Sequence, residues 1–256
     1  MHPPIDMSIP ILPATTPAFG ELAQLLPPFR ALLQGVQHQF AQFTRYIQDP
    51  AARETAHALA AAQQRQDGVA EQHFRLAEQY ADTALTVQCY RVFYWLQTGQ
   101  FAQINRLLQT VDFTRHTHEQ AALTYMAQTS LGCGLLGTTG QILRLLDDGQ
   151  AAADIAHAAG ILSSFSFPEE AWTELFLAAK AYVHRQAGPL IQCGVFYSMI
   201  DDVLFSLMLM IDEPMVRLSE INDAFTEFLL DYEDAHGYRL PADMDIAVHG
   251  IQEWQP

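Results

Sequence analysis

From Pro27 onward the apolar residues recur at spacings of three and four. Phe29, Leu32, Leu33, Val36, Phe40, Phe43 and Ile47 make one stripe, the pattern of an amphipathic helix. Pro27 and Pro28 suit its start, and Asp49-Pro50 marks its end. An Ala-rich helix is predicted over 51–66, closed by Asp67-Gly68. The same period predicts helices over 69–81, 84–98, 100–111, 118–136, 150–162, 168–187, 189–211 and 214–235, with a shorter one over 139–147. Gly99, Gly137, Gly140, Gly149, Gly160, Gly188-Pro189, Pro214 and Gly237 fall at or near the expected ends. Thr117-His118-Glu119-Gln120 has the spacing of a capping box.

No run alternates convincingly with period two, so the predicted fold class is all-α. Connections are short, so neighbours should run antiparallel in a bundle or short α-α repeat array of roughly nine to eleven helices. Residues 1–20 hold Pro3, Pro4, Pro10, Pro13 and Pro17 and read as an extended arm. Residues 21–236 read as a single all-α domain. Residues 237–256 read as an irregular tail, pinned by Trp254.

One stretch carries a family likeness. Tyr90, Phe93, Tyr94 and Trp95 lead to Gly99, Phe101 follows two residues later, and Ile104 and Leu108 continue the apolar stripe. Gly68 and Gly137 flank Gly99 at 31 and 38 residues. Over about residues 68–140 the chain resembles a tetratricopeptide-like helical repeat, whose period is about 34. The resemblance implies stacked helix pairs, as in modules that bind other proteins.

Half of the 256 residues are hydrophobic and 16% are charged, enough for a substantial core. The formal charge is −16, unevenly spread. Residues 1–120 carry ten Asp or Glu against eight Arg, whereas residues 121–256 carry nineteen against five cations. Such a surface repels nucleic acid and favours water or a basic partner. Lys180 is the only lysine, which argues against a lysine Schiff base or a phosphate loop. Cys89, Cys133 and Cys193 lie far apart in apolar stretches and suggest no zinc pairing or disulfide framework, so a reducing cytoplasm is expected. The start of the chain lacks a cationic region and an uninterrupted apolar run, so no secretory signal is read there. The most apolar window, 193–211, carries Asp201 and Asp202 at its centre, each costing roughly 2.5–3.5 kcal/mol in a membrane. It is therefore read as a buried helix, and no membrane association is expected.

The clearest functional pattern lies between 214 and 235. At about 100° per residue, Leu218, Ile221, Phe225, Phe228, Leu229 and Tyr232 share one face. Glu220, Asp223, Glu227, Asp231 and Asp234 share the opposite one, and Glu233 falls outside both. The first four are the expected contacts for a basic protein partner. Asp201 and Asp202 are buried polar candidates, paired with an Arg such as Arg91, Arg106 or Arg144, or serving a pocket. Compared with the metal-binding carboxylates of isoprenoid cyclases, Asp201-Asp202 lacks the third acid, and the chain is poor in cations for a diphosphate.

Glu54-x-x-His57 and Glu233-x-x-His236 have the spacing of di-iron helical proteins, with Glu174 and Asp202 as further carboxylates. That spacing is common in a chain with ten His, so no metal or other cofactor is expected. His116 and His118 beside Glu119 suit a cap or loop equally well. Met199, Met208, Met210 and Met215 suit a core or an adaptable groove. No Gly-rich phosphate loop or serine nucleophile elbow is present.

The leading expectation is a protein-protein interaction module, an adaptor, chaperone-like or neutralising partner. The alternative is a helical enzyme with a carboxylate or His/Glu metal site in its core. A structural, homo-oligomeric scaffold is the third reading.

Overall fold

The computed structural model describes residues 47–80, 84–164, 169–188, 192–198, 204–211, 213–237, 239–240 and 244–250. The proline-rich arm and nearly all of the first predicted helix lie outside the described residues; Ile47, the last residue of its stripe, is buried. The fold is helical, as expected for a bundle or short repeat array. Nine α-helices and three short strands occur among the described residues. The described residues group into two compact units: 47–95 with 112–125, and 96–111 with 126–250.

The first unit begins with α1 (Pro50–Gln63). Asp49 opens a helix. Its carboxylate accepts from the amides of Ala51 at 3.3 Å and Ala52 at 3.0 Å, capping α1 with Pro50 in the first turn. Buried alanines at 51, 52, 56, 58, 61 and 62 let α2 (Asp67–Tyr80) approach closely, and Phe74 of α2 fills the core. Phe74 stacks on Tyr94 of α3 (Ala84–Thr98) at 5.8 Å. Arg91 of α3 ties the pair: it binds Glu71, donates to Glu78 at 3.0 Å, and lies over the Trp95 ring at 4.7 Å.

After α3 the chain turns at Gly99 (φ +72°) into α4 (Phe101–Thr110), whose Phe101, Ile104 and Leu108 are buried. A 3₁₀ turn over Phe113–His116 leads to α5 (Gln120–Gly132). The expected capping box does not close. The Gln120 side-chain amide donates to the Thr117 carbonyl at 2.9 Å, while the Glu119 carbonyl accepts the first helical bond, from Leu123, at 2.9 Å. Glu119 is thus the cap residue, and its carboxylate is used elsewhere.

In the second unit, α6 (Leu136–Leu145), α7 (Gly149–Ser164) and α8 (Glu169–Ala187) follow. Trp172, Leu175, Phe176, Ala179 and Val183 of α8 are fully or almost fully buried. Gly134 (φ +74°) is required, because a Cβ there would lie 2.9 Å from the Phe176 ring. The final helix, α9 (Met215–His236), sets Tyr182 of α8 against Phe228 at 4.5 Å.

The departure from helix is the segment expected as a helix over 189–211. It forms β1 (Gln192–Ser198) and β2 (Leu204–Ile211), paired antiparallel with Ser198 opposite Leu204. A continuous apolar run does not reveal its own period, so Leu- and Met-rich sequence reads as helix while tertiary pairing makes it sheet. Part of the expected irregular tail is likewise β3 (Met244–Gly250), parallel to β2 with Leu209 opposite Val248. The β2–α9–β3 segment is thus a crossover unit with its helix on the sheet. Leu209, Ile211, Ile246 and Val248 are buried. Gly250 leaves room for Leu218 of α9, 3.2 Å from where a Cβ would stand.

Candidate functional site

The candidate site is the outer face of α9. Leu218, Ile221 and Phe225 are buried, which fixes the rotation of the helix. Glu220, Asp223, Glu227 and Asp231 are all exposed, as the sequence pattern predicts. Glu220 pairs with Arg217 at 3.0 Å, a contact on an exposed surface that contributes little stability. Two apolar side chains stand among these carboxylates. Val216, 77% exposed, lies in the same arc, and Leu230, also exposed, lies beside Asp223 at its edge. Met215 is exposed at the start of the helix. Helical spacing places Val216 and Leu230 on or beside the acidic arc, whereas Met215 lies at the flank between the two faces.

Glu233 is the exception that the sequence pattern sets apart. It is buried, accepts from the Leu240 amide at 2.5 Å and binds Arg239 at 2.9 Å. It therefore anchors the chain leaving α9. Its expected partner His236 bonds through Nδ1 to the Tyr232 carbonyl at 2.7 Å, within the same helix.

Glu54 and His57 are joined by a residue that sequence spacing did not select. His73 of α2 bonds through Nδ1 to Glu54 at 2.7 Å, and its ring centroid lies 5.3 Å from that of His57. Burial holds the His57 imidazole below its ordinary value; the Glu54 charge opposes this, and His73 and Arg53 add to it. Glu174 is exposed on α8. Among the described residues no group of three or more His, Cys, Asp or Glu is placed to hold a metal ion.

Asp201 and Asp202 lie outside the described residues, between β1 and β2. The segments on either side of them, expected as one helix, are strands. Arg91, one of their proposed partners, is engaged by Glu71 and Glu78.

The His116–Glu119 cluster proves to be structural. Glu119 is 2% exposed; its Oε2 accepts from the Thr86 amide at 3.0 Å and hydroxyl at 2.8 Å, and its Oε1 meets His116 Nδ1 at 2.8 Å. The carboxylate thus satisfies the amino end of α3 from outside that helix.

Among the described residues no helix is long and apolar enough to cross a membrane. Compared with protein-family models, with curated proteins and with solved structures, the chain matches none of them.

Proposed function

We propose that this protein is an interaction module whose α9 docks a basic protein partner. The observation that carries this reading is the exposure of Glu220, Asp223, Glu227 and Asp231 on a helix already anchored by its other face. Those carboxylates need no rearrangement to meet a partner, because the apolar face that holds α9 in place is spent on the core. Exposed charge steers encounter and sets partner choice more than it sets affinity. Val216 and Leu230 would supply desolvated contact within the charged rim. The partner surface this face fits carries Arg or Lys around an apolar patch.

The same proposal includes the tetratricopeptide-like reading of residues 68–140. Its support is the helix–turn–helix formed by α3, Gly99 and α4, with Phe101 opening the second helix. It also places the protein in the cytoplasm, in line with free thiols at Cys89 and Cys133.

The test is affinity purification from the native host with α9 intact and, in parallel, with Glu220, Asp223, Glu227 and Asp231 all changed to Lys. The proposal expects a partner on the intact protein that is lost on the variant and released by salt. Equal recovery of that partner on both proteins overturns it.

A further inference from the structure

Lys180, the chain's only lysine, is buried in the middle of α8, 1% exposed. Its Nζ donates to the Gly132 carbonyl at the end of α5 and lies 3.6 Å from Cys133 Sγ. Cys133 is 0% exposed. Among the described residues no carboxylate bonds Lys180. A cation at a helix carboxyl end is favourable, which explains the contact with Gly132. It leaves unexplained why an Arg-rich chain keeps one amine and seals it against a thiol.

Cys89 provides the contrast. Its thiol, equally buried, donates to the Ala122 carbonyl at 3.6 Å. Burial and the nearby Glu119 charge hold it well above its ordinary value, so it stays a protonated, inert thiol. Cys133 faces a nitrogen instead of a carboxylate.

We propose that Cys133 and Lys180 are a modification site, a pair that hydrogen peroxide converts to a covalent sulfur–nitrogen staple. In the first step the Cys133 sulfur attacks peroxide; the O–O bond breaks, sulfur is oxidised to the sulfenic acid, and the other oxygen leaves as water. In the second, the Lys180 nitrogen gives its extra proton to water and its freed lone pair attacks that sulfur. The S–N bond forms, the S–O bond breaks, and the departing oxygen takes the amine proton as a second water. One thiol, one ammonium and one peroxide thus give one sulfenamide, two waters and one released proton, and the two electrons lost by sulfur reduce the peroxide. Sulfenic acids condense in this way with a neighbouring nitrogen, and the product is reversed by thiols. Peroxide is little larger than water and reaches buried sulfur through local opening of the structure. The staple would join the end of α5 to the middle of α8, both within one unit.

The single lysine makes the test simple. The full chain is treated with hydrogen peroxide, denatured, thiol-blocked and digested with a lysine-specific protease. Untreated protein is cut once, after Lys180, into residues 1–180 and 181–256. The proposal expects peroxide to give an uncut population lighter by two hydrogen atoms, which dithiothreitol makes cleavable again. Cys133→Ala should stay fully cleavable. Complete cleavage after peroxide, with Cys133 unchanged or carried to sulfinic acid, overturns the proposal. So does an uncut population that persists in Cys133→Ala, or a bridge heavier by one oxygen. If Cys133→Ala does not fold, fragmentation of the stapled wild-type peptide decides: a bond joining 133 to 180 supports the staple, and any other pairing overturns it.

Discussion

Glu119 closes the amino end of α3, reaching back across 33 residues of sequence to accept both the amide and the hydroxyl of Thr86. The bond pair is buried, so losing the carboxylate leaves two donors dry and His116 without its partner. Glu119→Ala should lower the unfolding free energy by about 2–3 kcal/mol, read from urea denaturation. Glu119→Gln, which keeps an acceptor oxygen, should cost less. An unchanged midpoint in Glu119→Ala would remove Glu119 from the account of α3.

Gly99 and His184 meet at the end of α3. A Cβ at Gly99 would stand 2.8 Å from His184 Nδ1, and the residue already holds φ +72°. The His184 ring is positioned by its Nε2 bond to the Gln97 carbonyl, at 3.1 Å, and by edge contact with Phe101. Gly99→Ala should therefore destabilise by about 1–3 kcal/mol. Thermal denaturation measures it, and Gly99→Ala/His184→Ala should recover only part of the loss, because the backbone strain remains.

Asn222 acts as an additional backbone for β3. Its amide donates to the Val248 carbonyl at 2.8 Å and accepts from the Val248 N–H at 3.1 Å. The helix thereby covers part of a strand edge. Asn222→Ala should cost about 1–3 kcal/mol and make the Val248 amide exchange faster, while amides within β1 keep their rates. Unchanged exchange at Val248 would contradict the role given to Asn222.

His57 makes stability depend on pH through its burial. Its folded-state value is lowered, chiefly by burial, so the unfolded chain binds the proton more readily. The stability it contributes is complete above about pH 6.5, the ordinary histidine value, and is lost as pH falls through and below that value. His57→Gln should flatten the fall in stability between neutral and mildly acidic pH, with His73, Glu54 and Arg53 left in place. A His57 resonance that titrates at or above the ordinary value would reverse the sign and contradict the argument.

Much of the helical body is legible in sequence because its signals are local. Periodicity and Gly99 bound a helix over 84–98, and α3 spans Ala84–Thr98. Leu218, Ile221 and Phe225 declared the inner face of α9, and Glu233 stood outside the acidic arc because it turns inward to Leu240 and Arg239. What was missed depends on partners distant in sequence. Leu204–Ile211 becomes strand only because Gln192–Ser198 and Met244–Gly250 flank it. His73 joins Glu54 only because α1 and α2 fold together, and no spacing within either helix selects it. Residues 201–202 lie outside the described residues, and the segments on either side, expected to be one helix with them, are strands.

The central claim is that the outer face of α9 is the docking surface, and carboxylate footprinting of the partner complex tests it most directly. Free and complexed protein are labelled with a carbodiimide and an amine, and the modified residues are mapped. Glu220, Asp223, Glu227 and Asp231 should label in the free protein and become protected in the complex, while the exposed Glu170 and Glu174 of α8 label equally in both. If those four carboxylates label as strongly in the complex as in the free protein, α9 is a solvated face and the partner binds elsewhere.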